Sequence, residues 1–200
     1  EINNINTYID KVEHTVIIDN SDTNNYELIN QIISDNSRVT YYSKETNLGL
    51  ARGFNIGINI LLEMGCEWAI LFDADSKLGS NIISVYTEAI EKYRTREVAV
   101  FSPVHMFERS KNKPFNGYKS ISWSMTSGCL YNCKLFKKQN GFFEKLFVDG
   151  LDMDYCYKSH ENSYEIIQCG SAVINHNPAE TKKILCYKYG IASPNRYFMQ

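Results

Sequence analysis

Between positions 68 and 76 the chain reads Trp-Ala-Ile-Leu-Phe-Asp-Ala-Asp-Ser. Five apolar residues in a row are too few for an ordinary helix and read as a strand buried on both faces. That strand runs straight into two carboxylates one residue apart. In extended backbone the side chains at i and i+2 share a face, roughly 6–7 Å apart. Asp73 and Asp75 can therefore converge on one divalent cation beyond the strand's C-terminal end. In open α/β sheets that edge is where ligands collect. Two hard oxygens holding Mg²⁺ or Mn²⁺, with phosphates completing the shell, suit such a place. Asp-Ala-Asp-Ser is equally a polar turn that caps the next helix. Both readings stand on this stretch alone.

The flanking sequence alternates strands and helices. His14 to Ile18 is a β-branched strand ending in Asp19-Asn20-Ser21-Asp22, which places Asp19 at the sheet's C-terminal edge. Tyr26 to Ile33 carries a helical stripe, and Arg38 to Ser43 makes a short strand. The segment from Asn47 to Gly57 then opens a helix running to about Met64, with Leu50, Phe54, Ile58 and Leu61 inward. Arg52, Asn55 and Asn59 fall on another face. Gly49, Gly53 and Gly57 cost that helix about 1 kcal/mol each relative to Ala. A strand or a ligand must therefore approach its backbone closely. The spacing is not the dinucleotide fingerprint Gly-x-Gly-x-x-Gly, and no Rossmann cofactor is inferred.

Further on, Ser80 to Arg94 reads as a helix and Glu97 to Ser102 as a strand stopped by Pro103. Residues 105–120 are polar and mixed, the best stretch for a mobile loop. Ser122 to Asn132 looks extended, and a helix over 151–161 follows Asp149 and Gly150. Glu165 to Gln168 and Ala172 to Ile174 read as short strands, the second leading to His176. Lys182 to Gln200 reads as a helix and a basic-aromatic tail. Ile2, Ile5 and Ile9 lie at helical spacing, so the chain opens inside a helix with no strand before it. With no repeat or linker, the expectation is one domain over residues 1–200, cut short at both ends.

Composition removes several classes. A net charge of −2 carries no electrostatic footprint for nucleic acid. The longest apolar runs are about five residues, too short to span a bilayer. Six cysteines show no Cys-x-x-Cys pair and no zinc-finger spacing, and most sit in apolar segments. They read as free, buried thiols of a reduced compartment.

Taken together, the motifs resemble the family 2 inverting glycosyltransferases of the GT-A fold, within them the rhamnosyltransferase-like group. The matching segments are Ile17-Ile18-Asp19-Asn20-Ser21, Asn47-Leu48-Gly49-Leu50-Ala51-x-Gly53-x-Asn55-Ile56-Gly57, Asp73-Ala74-Asp75-Ser76, Thr126-Ser127-Gly128, the run from Leu146 to Asp154, and His176. The resemblance implies an α/β fold with a mostly parallel central sheet flanked by helices, lacking the family's first strand in these residues. It implies transfer of a rhamnose-like or other hexose from a UDP- or dTDP-sugar to a hydroxyl of a growing surface polysaccharide, glycan or lipid-linked. Asp19 and Asn20 would meet the nucleotide, with Asn47, Gly49, Arg52 and Asn55 lining the donor. Asp73 and Asp75 would hold Mg²⁺ or Mn²⁺, Asp73 the ribose as an alternative, and His176 would be a further metal or diphosphate contact. Asp152 would be the general base, Asp149 its neighbour in the catalytic segment. A cytoplasmic place, peripheral to the inner face of the membrane, goes with lipid-linked acceptors.

Leu151 departs from the pattern, standing where many members carry Glu. Two other classes compete. The run from Ile70 to Ser76 also resembles the Asp-x-Asp strand of haloacid-dehalogenase-like phosphatases, where Asp73 would be the nucleophile. A nucleotide-sugar-binding module without turnover is the third reading.

Overall fold

A computed structural model describes residues 9–33, 36–73, 77–106 and 112–175, with the backbone of 182–183 and 197–198. Asp75, His176, the expected opening helix up to residue 8 and most of the C-terminal tail lie outside the described residues.

Strand β1 (Thr15–Asp19), helix α1 (Tyr26–Ile33) and strand β2 (Val39–Ser43) form one βαβ unit. β1 and β2 pair in parallel, in register from Thr15–Val39 to Asp19–Ser43. Helix α2 (Leu50–Glu63) then leads to β3 (Trp68–Ile70). Strand β4 (Lys77–Leu78), helix α3 (Ile82–Lys92) and strand β5 (Val98–Met106) come next. They are followed by β6 (Tyr118–Ser120), β7 (Leu130–Asn132), α4 (Cys133–Lys138), α5 (Leu151–Glu161) and β8 (Glu165–Asn175). The main sheet has the order β3-β7-β5-β8-β4, with β6 also on β8. Its longest ladder, β5 with β8, is parallel; the short ladders β3–β7, β5–β7, β4–β8 and β6–β8 are antiparallel. The expected α/β layering is present, but the main sheet is mixed, with β5–β8 its one parallel ladder among the described residues, and β1 and β2 form a separate parallel pair.

Alternation along the central strands sends neighbours to opposite faces. Val100, Tyr131 and Ile166 pack under α2, α4 and α5 with Ile58, Phe136, Phe142 and Tyr155. Phe101, Leu130 and Ile167 pack under α3 with Ile82, Tyr86 and Ala89. Cys129, Cys133, Cys156 and Cys169 are free and buried, and Cys66 is free and half-buried, as their apolar settings imply.

Several boundaries differ from the sequence expectation. Pro103 does not stop its strand: β5 continues to Met106, and its ladder to β8 shifts register between Ser102 and Val104. A proline is tolerated there because the irregularity asks for no ladder N–H. Its carbonyl instead accepts from Gln168 Nε2 at 3.1 Å. The two expected strands after residue 165 are one, β8. Of the stretch expected to be a loop, 105–106 ends β5 and 118–120 forms β6. Phe115 N donates to Gly170 O at 3.1 Å, tying that residue to β8. Only Leu130–Asn132 of the extended stretch is strand. Where a helix was expected at Lys182, Lys182–Lys183 (β9) instead pairs with Tyr197–Phe198 (β10).

Helix α4 carries too few residues for a periodicity to show. Asn132 caps it, its Oδ1 accepting from Leu135 N at 3.0 Å. Asn132→Ala removes that acceptor and should cost about 0.5–2 kcal/mol, read as a fall in the urea midpoint at unchanged m-value.

Candidate active site

Strand ends and two loops converge on one side of the sheet. β1 ends at Asp19 and β3 leads to Asp73. The turn 126–128 precedes β7, and Asp149 to Asp152 open α5. Leu50, Phe54, Asp73, His105, Thr126, Ser127, Asp149 and Asp152 are among the residues lining one cavity of about 270 Å³.

The carboxylate of Asp19 is held from three directions. Tyr41 Oη and Asn25 Nδ2 donate to Oδ2 at 2.5 and 2.9 Å, and Ser21 N donates to Oδ1 at 3.0 Å. Desolvation alone would raise its pKa, but the hydrogen bonds from Ser21, Tyr41 and Asn25 together outweigh it and bring it down to about 2. The sign follows from the depressed folded value. Asp19 stabilises the fold above the unfolded carboxyl pKa of about 3.9, and that contribution disappears as pH falls toward 2. Urea midpoints measured from pH 5 to pH 2 should fall less steeply in Asp19→Asn than in the parent chain.

Asn20 turns inward to the chain. Its Nδ2 donates to Gly49 O at 3.1 Å and its Oδ1 accepts from Leu48 N at 3.2 Å, holding the entry to α2. Asn47 Oδ1 accepts from Gly49 N at 2.9 Å. Gly49 has φ +79°, and a Cβ there would collide with Phe147. At Gly53 and Gly57 an added Cβ would lie 3.3 and 3.5 Å from the Ile18 side chain. A strand, β1, is thus what approaches this helix so closely. Arg52 and Asn55 are not brought to the cavity. Arg52 is exposed and faces Glu144 at 3.9 Å. Asn55 fastens the backbone of Phe142, accepting from its N and donating to its O, both at 2.9 Å.

Asp73 lines the cavity, and its N–H donates to Ser127 Oγ at 3.2 Å. Asp149 and Asp152 line the same cavity. Gly150, at φ +82°, makes the left-handed turn between them and α5. Asp152 is half-buried; its Oδ1 accepts from Met153 N at 2.8 Å. Burial raises its pKa above the ordinary carboxylate value, Asp149 adds to the rise, and the backbone N–H groups of Met153 and Asp152 only partly offset it. A residue in the first turn of a helix would otherwise be acidified by the helix dipole. Here desolvation wins.

His105 was not anticipated. It is buried in β5, its Nε2 lies 2.7 Å from Ser127 O, and it borders the same cavity. A carbonyl only accepts, so Nε2 carries the proton. The signal was available as an imidazole in a largely apolar strand. Among the described residues no three His, Cys, Asp or Glu side chains form a metal cluster, and no helix is long and apolar enough to cross a membrane.

Residues 2–150 match glycosyl transferase family 2, and the chain belongs to that family. A curated relative, the dTDP-rhamnosyl transferase RfbF of Shigella flexneri, is 26% identical over 181 residues, covering 79% of this chain and 59% of the relative. Among solved structures, GalNAc-T7 with UDP, GalNAc and Mn²⁺ superposes with a TM-score of 0.67 at 14% identity, over 86% of this chain and 38% of that one. S. aureus TarS residues 1–349 with UDP-GlcNAc gives 0.66 at 15% identity, over 90% and 57%. The fold is therefore that of the GT-A glycosyltransferases, and the phosphatase alternative is set aside. The chain spans about three-fifths of the length of its curated relative.

Proposed function

We propose that these residues form a single domain and make up the donor-binding and catalytic part of an inverting glycosyltransferase. The donor is a UDP- or dTDP-hexose and the acceptor a hydroxyl of a growing surface glycan. The relatives support the donor class, since one is a dTDP-rhamnosyl transferase and the solved structures hold UDP or UDP-GlcNAc. The observation that carries the reading is Asp152, its pKa raised by burial, lining one small cavity together with Asp73.

In this reading Asp152 takes the proton from the acceptor hydroxyl as that oxygen attacks the anomeric carbon. The nucleoside diphosphate leaves from the opposite face, which inverts the anomeric centre. Burial raises the Asp152 pKa, and Asp149, which lines the same cavity, adds to the rise. Asp19, ionised and held by three hydrogen bonds, offers an acceptor to the base of the nucleotide. The hard oxygens of Asp73 and Asp75, with the His176 imidazole, suit Mg²⁺ or Mn²⁺ by donor type. Bound there, the cation would neutralise charge on the departing diphosphate. The reaction would be cytoplasmic, at the inner face of a membrane where lipid-linked acceptors are presented.

A thermal-shift panel of UDP, dTDP, GDP and ADP, each with and without Mn²⁺, tests the donor and the metal. A nucleotide at 100 times its Kd adds about 2.7 kcal/mol, about 5–11 °C at this size. The shift should appear with UDP or dTDP only when Mn²⁺ is present, and should vanish in Asp75→Ala. Equal shifts without metal, or with ADP alone, would overturn the assignment.

A further inference from the structure

Strand β5 sends two buried polar side chains to one loop. In a straight strand, positions three apart point to opposite faces. Between Ser102 and Val104 the ladder to β8 shifts register, and such irregularities re-aim the side chains beyond them. Ser102 Oγ lies 2.6 Å from Ser124 Oγ, and His105 Nε2 lies 2.7 Å from Ser127 O. Both contacts hold the segment 124–128 that precedes β7, and all four residues are buried. The segment is packed as well as bonded. A Cβ at Gly128 would lie 2.6 Å from Ile174 Cδ1 and 3.3 Å from Pro103 Cγ. The Cys129 thiol, 3.3 Å from Ser124 Oγ, donates to Met125 O at 2.9 Å.

The same segment holds the residues that follow β3. Gly128 N donates to Leu71 O at 2.7 Å, and Leu71 N donates to Cys129 O at 3.1 Å. Two residues on, Asp73 N donates to Ser127 Oγ at 3.2 Å. Ser127 therefore joins two groups. Its carbonyl accepts from the protonated ring nitrogen of His105, and its hydroxyl oxygen accepts from the amide of Asp73. Asp73, His105 and Ser127 all line the cavity of about 270 Å³ that Asp152 also borders.

We infer that His105 is a positioning residue of the donor site: through Ser127 it fixes the backbone that presents Asp73 to the cavity. This role rests on the reading of Asp73 as a ligand of the donor or its metal, and it names what sets the place of that carboxylate. A side chain of similar size without a donor would fill the same space. It would leave the Ser127 carbonyl unpaired in a buried setting, where an unmet acceptor is costly, and the turn would shift to satisfy it. Asp73 would move with the turn, because its amide is bonded to the same serine. A misplacement of about 1 Å at a reacting site is worth about 10²-fold. Groups that only orient a metal-binding side chain are typically worth about 10–100-fold in affinity.

Titration calorimetry with UDP and with dTDP, each in the presence of Mn²⁺, tests this through Kd. In His105→Leu and in Ser127→Ala, the nucleotide that the parent binds should bind about 10–100-fold more weakly. His105→Gln, whose amide can place an N–H where Nε2 stands, should stay within about threefold of the parent. The double variant His105→Leu/Ser127→Ala should bind no more weakly than the worse of the two single variants, because both act through one chain of hydrogen bonds. A histidine that only filled the core would lower the Tm of His105→Leu and leave the Kd of the folded protein unchanged. A Kd in His105→Leu within about threefold of the parent therefore overturns the inference. So does an equal loss in His105→Gln, or losses that multiply in the double variant. If His105→Leu does not fold, Ser127→Ala and His105→Gln decide, and parental binding in Ser127→Ala overturns it. Asp73→Ala separates this role from the reading beneath it. Binding lost there but kept in His105→Leu and Ser127→Ala leaves the donor site standing and removes His105 from it. Parental binding in Asp73→Ala, or no binding of either nucleotide by the parent, removes the donor site and the role of His105 together.

Discussion

With Asp152 in its proposed role as general base, Asp152→Asn should lower turnover about 10²–10⁴-fold while leaving the affinity for the nucleotide unchanged. Two further readouts separate a lost base from a damaged fold. Burial and Asp149 raise the Asp152 carboxyl in the folded state, so the folded protein binds its proton more tightly than the unfolded chain does. The ionised form of Asp152 therefore costs stability as pH rises through and above that folded value. Removing the charge should leave the Tm at neutral pH equal or higher while activity is lost. In the parent enzyme the acidic limb of kcat/KM should lie above the ordinary carboxylate range, because the base must be ionised to act. Asp149→Asn removes part of the repulsion and should move that limb down. Activity in Asp152→Asn within threefold of the parent would remove this residue from the mechanism.

Phe142→Ala should have the largest effect on stability. Phe142 is 2% exposed and its ring packs on Phe136, Tyr155, Tyr131 and Phe54 with centroid distances of 5.1, 5.2, 5.6 and 6.0 Å. Both of its backbone polar groups are held by the Asn55 amide, so this point of the chain cannot slide to close the hole. Truncations of this kind cost about 3–5 kcal/mol, against a total of about 5–15 kcal/mol for a typical domain. At about 2–4 °C per kcal/mol for this chain length, the Tm should drop by about 6–20 °C. The ring also lies beneath α5, since Tyr155 and Leu151 belong to the same cluster. Asp152 sits next to Leu151, so activity should fall more steeply with temperature than in the parent. A calorimetric scan and a temperature–activity profile on one preparation would check both.

The three sites legible in the sequence were those where a single local rule suffices. A buried strand followed by turn residues placed Asp19 and Asp73 at the sheet edge, and the structure has them there. The glycines of α2 announced a close approach, and Ile18 makes it. Arg52 and Asn55 were not legible in the same way. Their spacing said that they share a face of α2, but only the path of residues 142–144 decided that this face points away from the cavity. The boundaries at Pro103 and within β8 failed for a related reason. A proline is a stop signal in isolation, whereas the neighbouring strand supplied a register shift that accommodates it.

Asp152 marks the division most clearly. Its place in a helix's first turn could be read from the order Asp149-Gly150-Leu151-Asp152, and by itself that place predicts an acidified carboxyl. Desolvation reversed the sign, and desolvation depends on which distant segments pack around a group. The sequence by itself determined the alternation of strands and helices, the carboxylates at their ends and the family to which they belong. Those follow from periodicity and turn chemistry within a few residues. Only the tertiary structure decided the pairing of strands, the arrival of His105 beside Ser127 and the raised pKa of Asp152. Each of these depends on residues tens of positions apart meeting in space, which no local pattern encodes.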